Sequence, residues 1–305
     1  MALIGLKVDV DTWRGTREGV PTLLALLERA GAQATFLFSL GPDRTGRAIR
    51  RVFRPGFLSK VSRTSVLSHY GLRTLLYGTL LPGPDIGRRG ADILRSVAAA
   101  GFETGIHCWD HVRWQDNVTG KDADWTRREM RLAFDRHREI FGVPPRTHGA
   151  AGWQMNAHAF ALERELGLDY ASDGRGTHPY QPALRGKAIG VPQLPTTLPT
   201  FDELIGLDGW HEDNVERALL ALTAAQPDRD QVFTLHAELE GMKLAAAFQR
   251  LLTGWRAQGH RLVALRSCFA ALDGAQLPLH EVLEGEVPGR SGRLSLQGPA
   301  CAVSS

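Results

Sequence analysis

The first forty residues carry a strand–helix–strand pattern, which constrains the fold more than any other feature of the chain. ALIGLKVDVD is an apolar strand that ends in acidic residues, VPTLLALLERAGA has apolar residues at helical spacing and a glycine stop, and ATFLFSLG is a second buried strand. Two strands joined by a helix lie parallel in one sheet. Because strand and helix patterns alternate again further along the chain, we predict an α/β fold with a parallel sheet.

The chain length fits one large domain with a short extension. A single α/β barrel needs about 250 residues, and this chain has 305. We find neither an internal repeat nor a second domain, so we predict one barrel over residues 1–273. Residues 274–305 are rich in Gly and Pro, and we expect them to form a poorly ordered tail.

Charge and cysteine content favour a cytoplasmic protein. The net charge is only +3, so we expect no nucleic-acid partner. Cys108, Cys268 and Cys301 are an odd number without framework spacing, which is typical of a reducing compartment. The N-terminus begins a strand at once, so we expect no signal peptide, and no run reaches the ~20 apolar residues of a membrane span.

Residues 44–84 interrupt the alternation of strands and helices, and their charge is one-sided. They contain eight Arg and Lys residues and no Asp or Glu. Aromatic and leucine residues lie between these cations, which is the composition of a helix in a membrane interface. We therefore predict that this insertion lies in a membrane interface, contacted from the cytoplasm. An ordinary helical cap with a basic surface is the alternative, and the sequence identifies no protein partner.

Polar side chains collect where four of the predicted strands end. In a parallel α/β barrel the carboxyl ends of the strands form the functional site, so we expect these side chains to converge. They are Asp9 and Asp11, His107 and His111, Asp173 and Arg175, and His236.

The first two pairs have the chemistry of a metal site. Asp9 and Asp11 face the same way on a strand, and two such carboxylates repel each other unless a cation or a proton lies between them. With His107 and His111, one Asp completes the two-His, one-carboxylate set of an open divalent-metal site. Cys108 would face away from His107, and we interpret it as core. Taken alone, the two aspartates could be a helix-capping residue and a solvated neighbour, and the two histidines could be unrelated surface residues.

The later strand ends offer an acid and its neighbours. His236, in FTLHAE, is a candidate general acid on the far side of the metal. Asp173 could orient His236, and Arg175 could pair with Asp9 and keep that carboxylate ionised. A buried, hydrogen-bonded histidine and a structural salt bridge are the alternatives that the sequence leaves open.

VDVDTW, HCWDH, AAGW, SDGRG and LHAE, in this order, resemble the motifs of the polysaccharide-deacetylase (NodB-homology) superfamily. The resemblance implies a distorted (β/α)7 barrel that removes acyl groups from sugars. It also implies that Asp9 is the base, that His236 is the acid, and that the metal ligands are Asp11, His107 and His111. The chain departs from the family pattern in three ways: Val10 separates the two acids, Cys108 replaces Ser or Thr, and the usual third-motif arginine is replaced by Arg146 or Arg175.

Longer strings resemble one family within this superfamily over nearly the whole chain. VDVDTWRGTREGVPTLL, FSLGPDRTGR, HCWDHVRWQ and LPTTLPTFDELIG are similar to the deformylases of 4-deoxy-4-formamido-L-arabinose-phosphoundecaprenol. This resemblance implies a sugar substrate carried on a polyprenyl phosphate, with formate and a 4-amino sugar as products. It also implies a place in lipid A modification, which gives resistance to polymyxin and other cationic peptides.

Residues beside the motifs are candidates for contacts with the sugar and its phosphate, or for packing at the barrel rim. They are Trp13, Arg14, Arg17, Trp109, Trp153, Glu238 and Glu240. Backbone N–H groups between Ala150 and Trp153 are candidates for stabilising an oxyanion.

We expect one divalent metal ion as the cofactor, with zinc as the default for this ligand set and manganese or cobalt as suitable replacements. Three other functions fit parts of the pattern. They are an N-deacetylase of another amino sugar or lipid-linked saccharide, a non-haem iron oxygenase, and a catalytically inactive binding module for carbohydrate or lipid.

Overall fold

The computed structural model describes residues 1–48, 72–272, 276–290 and 292–301. Its strands, in chain order, are β1 (Leu3–Val10), β2 (Thr35–Ser39), β3 (Glu103–Cys108), β4 (Thr147–His148), β5 (Tyr170–Ala171), β6 (Gln181–Leu184), β7 (Lys187–Ala188), β8 (Gln231–His236), β9 (Arg261–Val263), β10 (Leu279–Gly285) and β11 (Leu294–Ala300). Its α-helices are α1 (Val20–Ala30), α2 (Leu72–Leu76), α3 (Ile86–Arg89), α4 (Ala91–Ala99), α5 (His111–Asn117), α6 (Ala123–Phe141), α7 (Ala157–Glu165), α8 (Phe201–Leu204), α9 (Glu216–Ala224), α10 (Ala245–Ala257) and α11 (Leu265–Ala270).

A seven-stranded parallel sheet forms the centre of the fold. The strand order is β5-β4-β3-β2-β1-β8, and β9 also pairs with β1. The irregular, proline-rich segment after β7 runs between the two outer strands. Ala171 bridges to Gln193, and the N–H groups of Thr197 and Leu198 donate to the carbonyl of Val232. The sheet therefore curves into a half-barrel covered by helices, which confirms the predicted distorted (β/α)7 barrel.

The two faces of β1 have different chemistry, and this difference positions the site. Its apolar residues lie in the main core with α1 and α10: Ile4, Leu6, Val8, Val10, Leu23, Leu27, Phe248 and Leu251. Because side chains alternate along a strand, Lys7 and Asp9 share the opposite face, and both are buried. The hydrophobic helices thus hold β1 in place while its polar residues face the inside of the half-barrel.

The C-terminal segment forms a second sheet, so the prediction of a poorly ordered tail is wrong for residues 279–300. The strand order is β11-β10-β6-β7, with β10 antiparallel to β11 and parallel to β6. Glycine and proline suggested disorder but have specific positions here. Gly298 lies where a Cβ atom would be 2.6 Å from the Glu281 carbonyl, and Pro299 lies on an outer strand, where a missing N–H is tolerated.

Most of the predicted membrane insertion lies outside the described residues, which leave out 49–71. Its described ends lie side by side, since the N–H of Gly46 donates to the carbonyl of Tyr77. Leu80 is 81% exposed and Leu81 is 37% exposed. Among the helices that the structure describes, none has the length and apolar character that crossing a membrane requires.

Candidate active site

Three side chains converge at the carboxyl end of the sheet, near β1 and β3, which lie on either side of β2. Asp11 follows β1, His107 belongs to β3, and His111 is the first residue of α5. The Asp11 carboxylate oxygens lie 3.2 Å from His107 Nε2 and 3.4 Å from His111 Nε2. Bonds of about 2.1 Å to one ion place ligand atoms at roughly these separations. The three residues therefore form a group that could hold a divalent metal ion.

The local fold of HCWDH explains how its two histidines meet. Asp110 caps α5 by accepting a hydrogen bond from the N–H of Arg113, and its other oxygen pairs with Arg44 Nη1 at 2.8 Å. The chain therefore passes from strand to helix within two residues, and the two imidazole centroids are 5.4 Å apart. Cys108 is buried and lies against Ser39 Oγ, as expected for a core residue.

The orientation of His107 suits a metal ligand. Its Nδ1 lies 2.6 Å from the carbonyl oxygen of Gly149. An Nδ1–H that donates to this carbonyl leaves Nε2 with a free lone pair, and Nε2 is the atom that faces Asp11. Burial opposes ionisation of Asp11, but His111, His107 and His236 outweigh burial and hold the pKa of its carboxyl well below the usual range. Asp11 is thus the anionic member of this group.

Lys7 is the partner of Asp9, which the sequence analysis missed. The Lys7 Nζ lies 3.3 Å from Asp9 Oδ2, and its side chain is fully buried. Asp9 Oδ1 lies 3.8 Å from His107 Nδ1, so the carboxylate borders the metal group without belonging to it. Alternation along β1 was the available signal, because Lys7, Asp9 and Asp11 are two residues apart in an otherwise apolar strand.

The proposed pairing of Arg175 with Asp9 is wrong. Arg175 Nη1 pairs with Glu203 at 2.5 Å, and its other nitrogens donate to the carbonyls of Thr196 and Leu198. These acceptors belong to the irregular segment that runs between the outer strands of the half-barrel. Arg175 therefore holds that segment in place, and its guanidinium lies over the Trp153 ring.

The proposed pairing of Asp173 with His236 is also wrong. Asp173 Oδ1 lies 2.8 Å from His148 Nδ1, which is also 2.9 Å from Glu163 Oε1. All three residues are at most 2% exposed. These separations are those of direct hydrogen bonds, and the three residues also form a second group whose ligand atoms could hold a metal ion. Asp173 also accepts the N–H of Ala150, and the N–H of Trp153 donates to the Ala150 carbonyl, so these two donors are not available to an oxyanion.

His236 lies beside Asp9 at the end of β8. The two residues are register partners on adjacent strands. The His236 imidazole packs edge-on against Trp153, with ring centroids 6.5 Å apart. Its Nδ1 has no hydrogen-bond partner among the described residues. Trp153 is itself buried, donates to Thr196 Oγ1, and has a positive φ of 53°.

Two predicted substrate-binding acids are buried and hold the backbone of the site instead. Glu238 Oε1 accepts hydrogen bonds from the N–H of Asp11 and from the N–H and hydroxyl of Thr12. Burial and the charge of Asp11 raise the pKa of Glu238 well above its ordinary value. Glu240 Oε2 accepts the N–H of His236 at 2.7 Å. These carboxyl groups position the loop that carries Asp11 and the end of β8 that carries His236.

The other candidate contact residues lie near the rim. Trp13, Arg14 and Trp109 are half-buried, and Arg17 is exposed. The N–H of Trp13 donates to Asp43, while Arg14 and Arg17 both pair with Glu18.

Arg290, from the loop between β10 and β11, lies against Trp153, the ring that packs against His236. Its guanidinium is 4.6 Å from the Trp153 ring centroid and pairs with Asp202 and Glu203. Sequence analysis missed Arg290 because it lies in the expected tail.

Replacing Glu240 by glutamine should flatten the pH dependence of stability. Burial raises the pKa of Glu240 to about 8 from an ordinary value of 4.5. Between these values the folded state keeps a proton that the unfolded state releases, so stability falls as pH rises. We expect wild type to lose about 3 kcal/mol more than Glu240→Gln between pH 5 and pH 8. Urea unfolding of both proteins across this range measures the difference, and parallel profiles would contradict it.

Comparison with known proteins assigns the family. No family model matches the chain. It is 38% identical over 296 residues to "Probable 4-deoxy-4-formamido-L-arabinose-phosphoundecaprenol deformylase ArnD" of Shewanella sediminis, covering 96% of this chain and 94% of that one. A protein of the same name from Wigglesworthia glossinidia brevipalpis is 31% identical over 284 residues, covering 93% of this chain and 98% of that one.

A solved structure supports the fold. The probable polysaccharide deacetylase from Pseudomonas aeruginosa PAO1 superposes with a TM-score of 0.57 at 16% identity, covering 90% of this chain and 92% of the other. The protein is thus a hydrolase that acts on an amide, a carbohydrate deformylase or deacetylase in its broad activity. On its sequence identity and coverage, the chain belongs to the ArnD family of 4-deoxy-4-formamido-L-arabinose-phosphoundecaprenol deformylases.

Proposed function

We propose that the protein hydrolyses the N-formyl group of 4-deoxy-4-formamido-L-arabinose carried on undecaprenyl phosphate, with one divalent metal ion as cofactor. The products would be formate and 4-amino-4-deoxy-L-arabinose-phosphoundecaprenol. The observation that carries the proposal is that Asp9 and His236 lie opposite each other on the adjacent strands β1 and β8, beside the group of Asp11, His107 and His111. The names of the two relatives supply the substrate.

The donor set fits a metal ion. Two imidazoles and one carboxylate are ligands that zinc, manganese and cobalt accept. Asp11 Oδ1 is buried and has no hydrogen-bond partner among the described residues, as expected for an atom reserved for a cation. When bound, the ion would polarise the amide carbonyl and lower the pKa of water.

Asp9 would take a proton from the attacking water. Its carboxylate borders the metal group, and the buried Lys7 Nζ lies 3.3 Å from Asp9 Oδ2. A positioned general base of this kind contributes about 10²- to 10⁴-fold to rate. Lys7 Nζ also lies 5.2 Å from the Trp153 ring centroid. Lys7 therefore contacts both Asp9 and the ring that packs against His236.

His236 would give a proton to the leaving sugar amine. Its backbone is fixed by Glu240 and its ring by Trp153, while Nδ1 is left without a partner among the described residues. Protonation of the amine makes C–N cleavage possible at neutral pH. An oxygenase with the same ligand set would need neither Asp9 nor His236.

The described ends of the 44–84 segment support a role of this segment in meeting a lipid-linked substrate. At its start, Arg44 pairs with Asp110, the residue before the ligand His111. Near its end, Leu80 and Leu81 are exposed. Basic residues near an anionic membrane each contribute about 1 kcal/mol. We therefore extend the proposal to binding of the insertion at the cytoplasmic face of the inner membrane.

Mass spectrometry of two substrates tests the proposal. Purified protein would be incubated with the N-formyl aminoarabinose phospholipid and with its N-acetyl analogue, each with zinc and with a chelator. We expect loss of formyl only when metal is present, with the acetyl compound spared. Loss of acetyl at an equal or higher rate would favour the broader N-deacetylase. No loss from either compound, with metal bound, would contradict the proposed function.

A further inference from the structure

We propose that Asp173 is a positioning residue for the metal centre, and that it acts on His107 through the peptide group between Gly149 and Ala150. The inference rests on the proposed function, because it requires a metal ion at Asp11, His107 and His111. It gives a role to the buried cluster of His148, Glu163 and Asp173, which the proposed catalytic steps do not use.

One peptide group makes both hydrogen bonds of this link. Its carbonyl oxygen, from Gly149, lies 2.6 Å from His107 Nδ1. Its N–H, from Ala150, donates to Asp173 Oδ1 at 2.8 Å. Hydrogen bonds in a chain polarise one another, so a carboxylate at the N–H makes the carbonyl a stronger acceptor. A stronger acceptor at Nδ1 makes Nε2 of His107 a more basic ligand.

The peptide group is held where both bonds must form. The N–H of Gly149 donates to the Ile106 carbonyl, and the N–H of Ser172 donates to the His148 carbonyl. A Cβ atom at residue 149 would collide with Leu37 and lie 2.8 Å from Lys7 Cε. Glycine therefore lets the strand end approach β1 and β2 this closely, with its carbonyl within hydrogen-bond distance of His107 Nδ1.

The cluster keeps a negative charge on Asp173 although the residue is fully buried. Burial disfavours that charge, but His148 outweighs burial and lowers the pKa of Asp173. Asp173 and Glu163 in turn raise the pKa of His148 to about 10 against the effect of burial. Burial and Asp173 raise the pKa of Glu163 well above its ordinary value. The Asp173 carboxylate is the group of this cluster that contacts the Ala150 N–H.

Metal affinity separates this role from ordinary packing. Zinc binding to the full-length protein would be measured by competition with a chelating dye, and cobalt binding by its visible absorption spectrum. We expect Asp173→Asn, which keeps the side-chain volume and removes the charge, to weaken zinc binding about tenfold, near the low end for outer-shell partners. The cobalt spectrum should shift, because the field of one ligand has changed.

One matched variant serves as a control. Glu103→Gln alters a buried carboxyl at the other end of β3, where it contacts Thr35 and Tyr170. It should lower the thermal midpoint and leave zinc affinity unchanged.

A second variant cuts the same link elsewhere and keeps the proposal testable if Asp173→Asn does not fold. Ala150 has φ of −64°, the value that proline adopts, so Ala150→Pro removes the N–H with its φ preserved. It should weaken zinc binding to a similar degree. Because both changes break one link, the double variant should be no weaker than the weaker single variant.

The outcomes are distinct. Additive losses in the double variant, or wild-type affinity in both Asp173→Asn and Ala150→Pro, would overturn the link while the metal site stands. A wild-type protein that binds no zinc would overturn the proposed function and the link with it.

Discussion

Replacing Asp9 by asparagine should lower kcat/KM for deformylation about 10³-fold, within the range for loss of a general base, while one metal ion per chain stays bound. The amide has nearly the size of the carboxylate but cannot accept the proton of the attacking water. Asp9 lies outside the three-residue metal group, so its charge is not needed to hold the ion. Steady-state kinetics together with metal analysis of the same sample measure both quantities.

Glu103→Gln is the matched control for Asp9→Asn. Glu103 is also a buried acid in the parallel sheet, but it lies at the start of β3, away from the site. The kcat/KM of Glu103→Gln should stay within about twofold of wild type, since a change far from the site leaves transition-state binding intact. An Asp9→Asn protein with wild-type kcat/KM would remove Asp9 from the role of base.

Replacing His107 by alanine should remove both the metal and the activity. Metal binding in proteins is worth roughly 10 kcal/mol or more, so losing one of three protein ligands should weaken zinc binding at least ~10²-fold. Deformylation with one equivalent of zinc should then fall below one per cent of the wild-type rate, roughly in step with occupancy. Zinc competition titration and formate release measure the two effects.

His137→Gln is the matched control for His107→Ala. His137 is another buried histidine, but it lies on α6, next to Phe141 and Thr104. Burial lowers its pKa to about 4, so it is neutral at working pH. This variant should keep its zinc and its activity. Wild-type zinc affinity in His107→Ala would contradict the assignment of His107 as a ligand.

The sequence predicted well those features that depend on residues close together in the chain. Alternation along β1 placed Asp9 and Asp11 on one face, and the strand–helix turn in HCWDH brought His107 and His111 together. The parallel sheet followed from the order of strands and helices, since a βαβ unit has few alternatives. The same alternation held a signal for Lys7 that the sequence analysis did not use: a lysine in an apolar strand is informative, because buried lysines are rare unless paired.

Partners that are distant in sequence could not be predicted. Asp173 and Arg175 were placed correctly at a strand end, but their partners, His148 and Glu203, are determined by how β4 and the irregular segment pack against that end. No local pattern encodes that packing. Glu238 and Glu240 beside LHAE suggested substrate contacts, whereas both carboxyl groups turn inward to accept backbone N–H groups.

The C-terminal segment failed for a different reason. Its glycines and prolines are typical of disorder in isolation, yet β10 finds an edge in β6, about a hundred residues earlier in the chain. Pairing to an existing strand supplies the backbone hydrogen bonds that the segment lacks by itself. The same pairing brings Arg290 onto the Trp153 ring, which packs against His236. A segment that was expected to be a tail therefore supports the surroundings of His236.

Zinc titration of metal-free protein tests the central claim most directly. Bound zinc and the rate of formate release from the N-formyl aminoarabinose phospholipid would be measured on the same samples. If Asp11, His107 and His111 form the catalytic metal centre, the rate should rise in proportion to bound zinc and level off at one ion per chain. Formate release by the metal-free protein at the full rate would contradict the account.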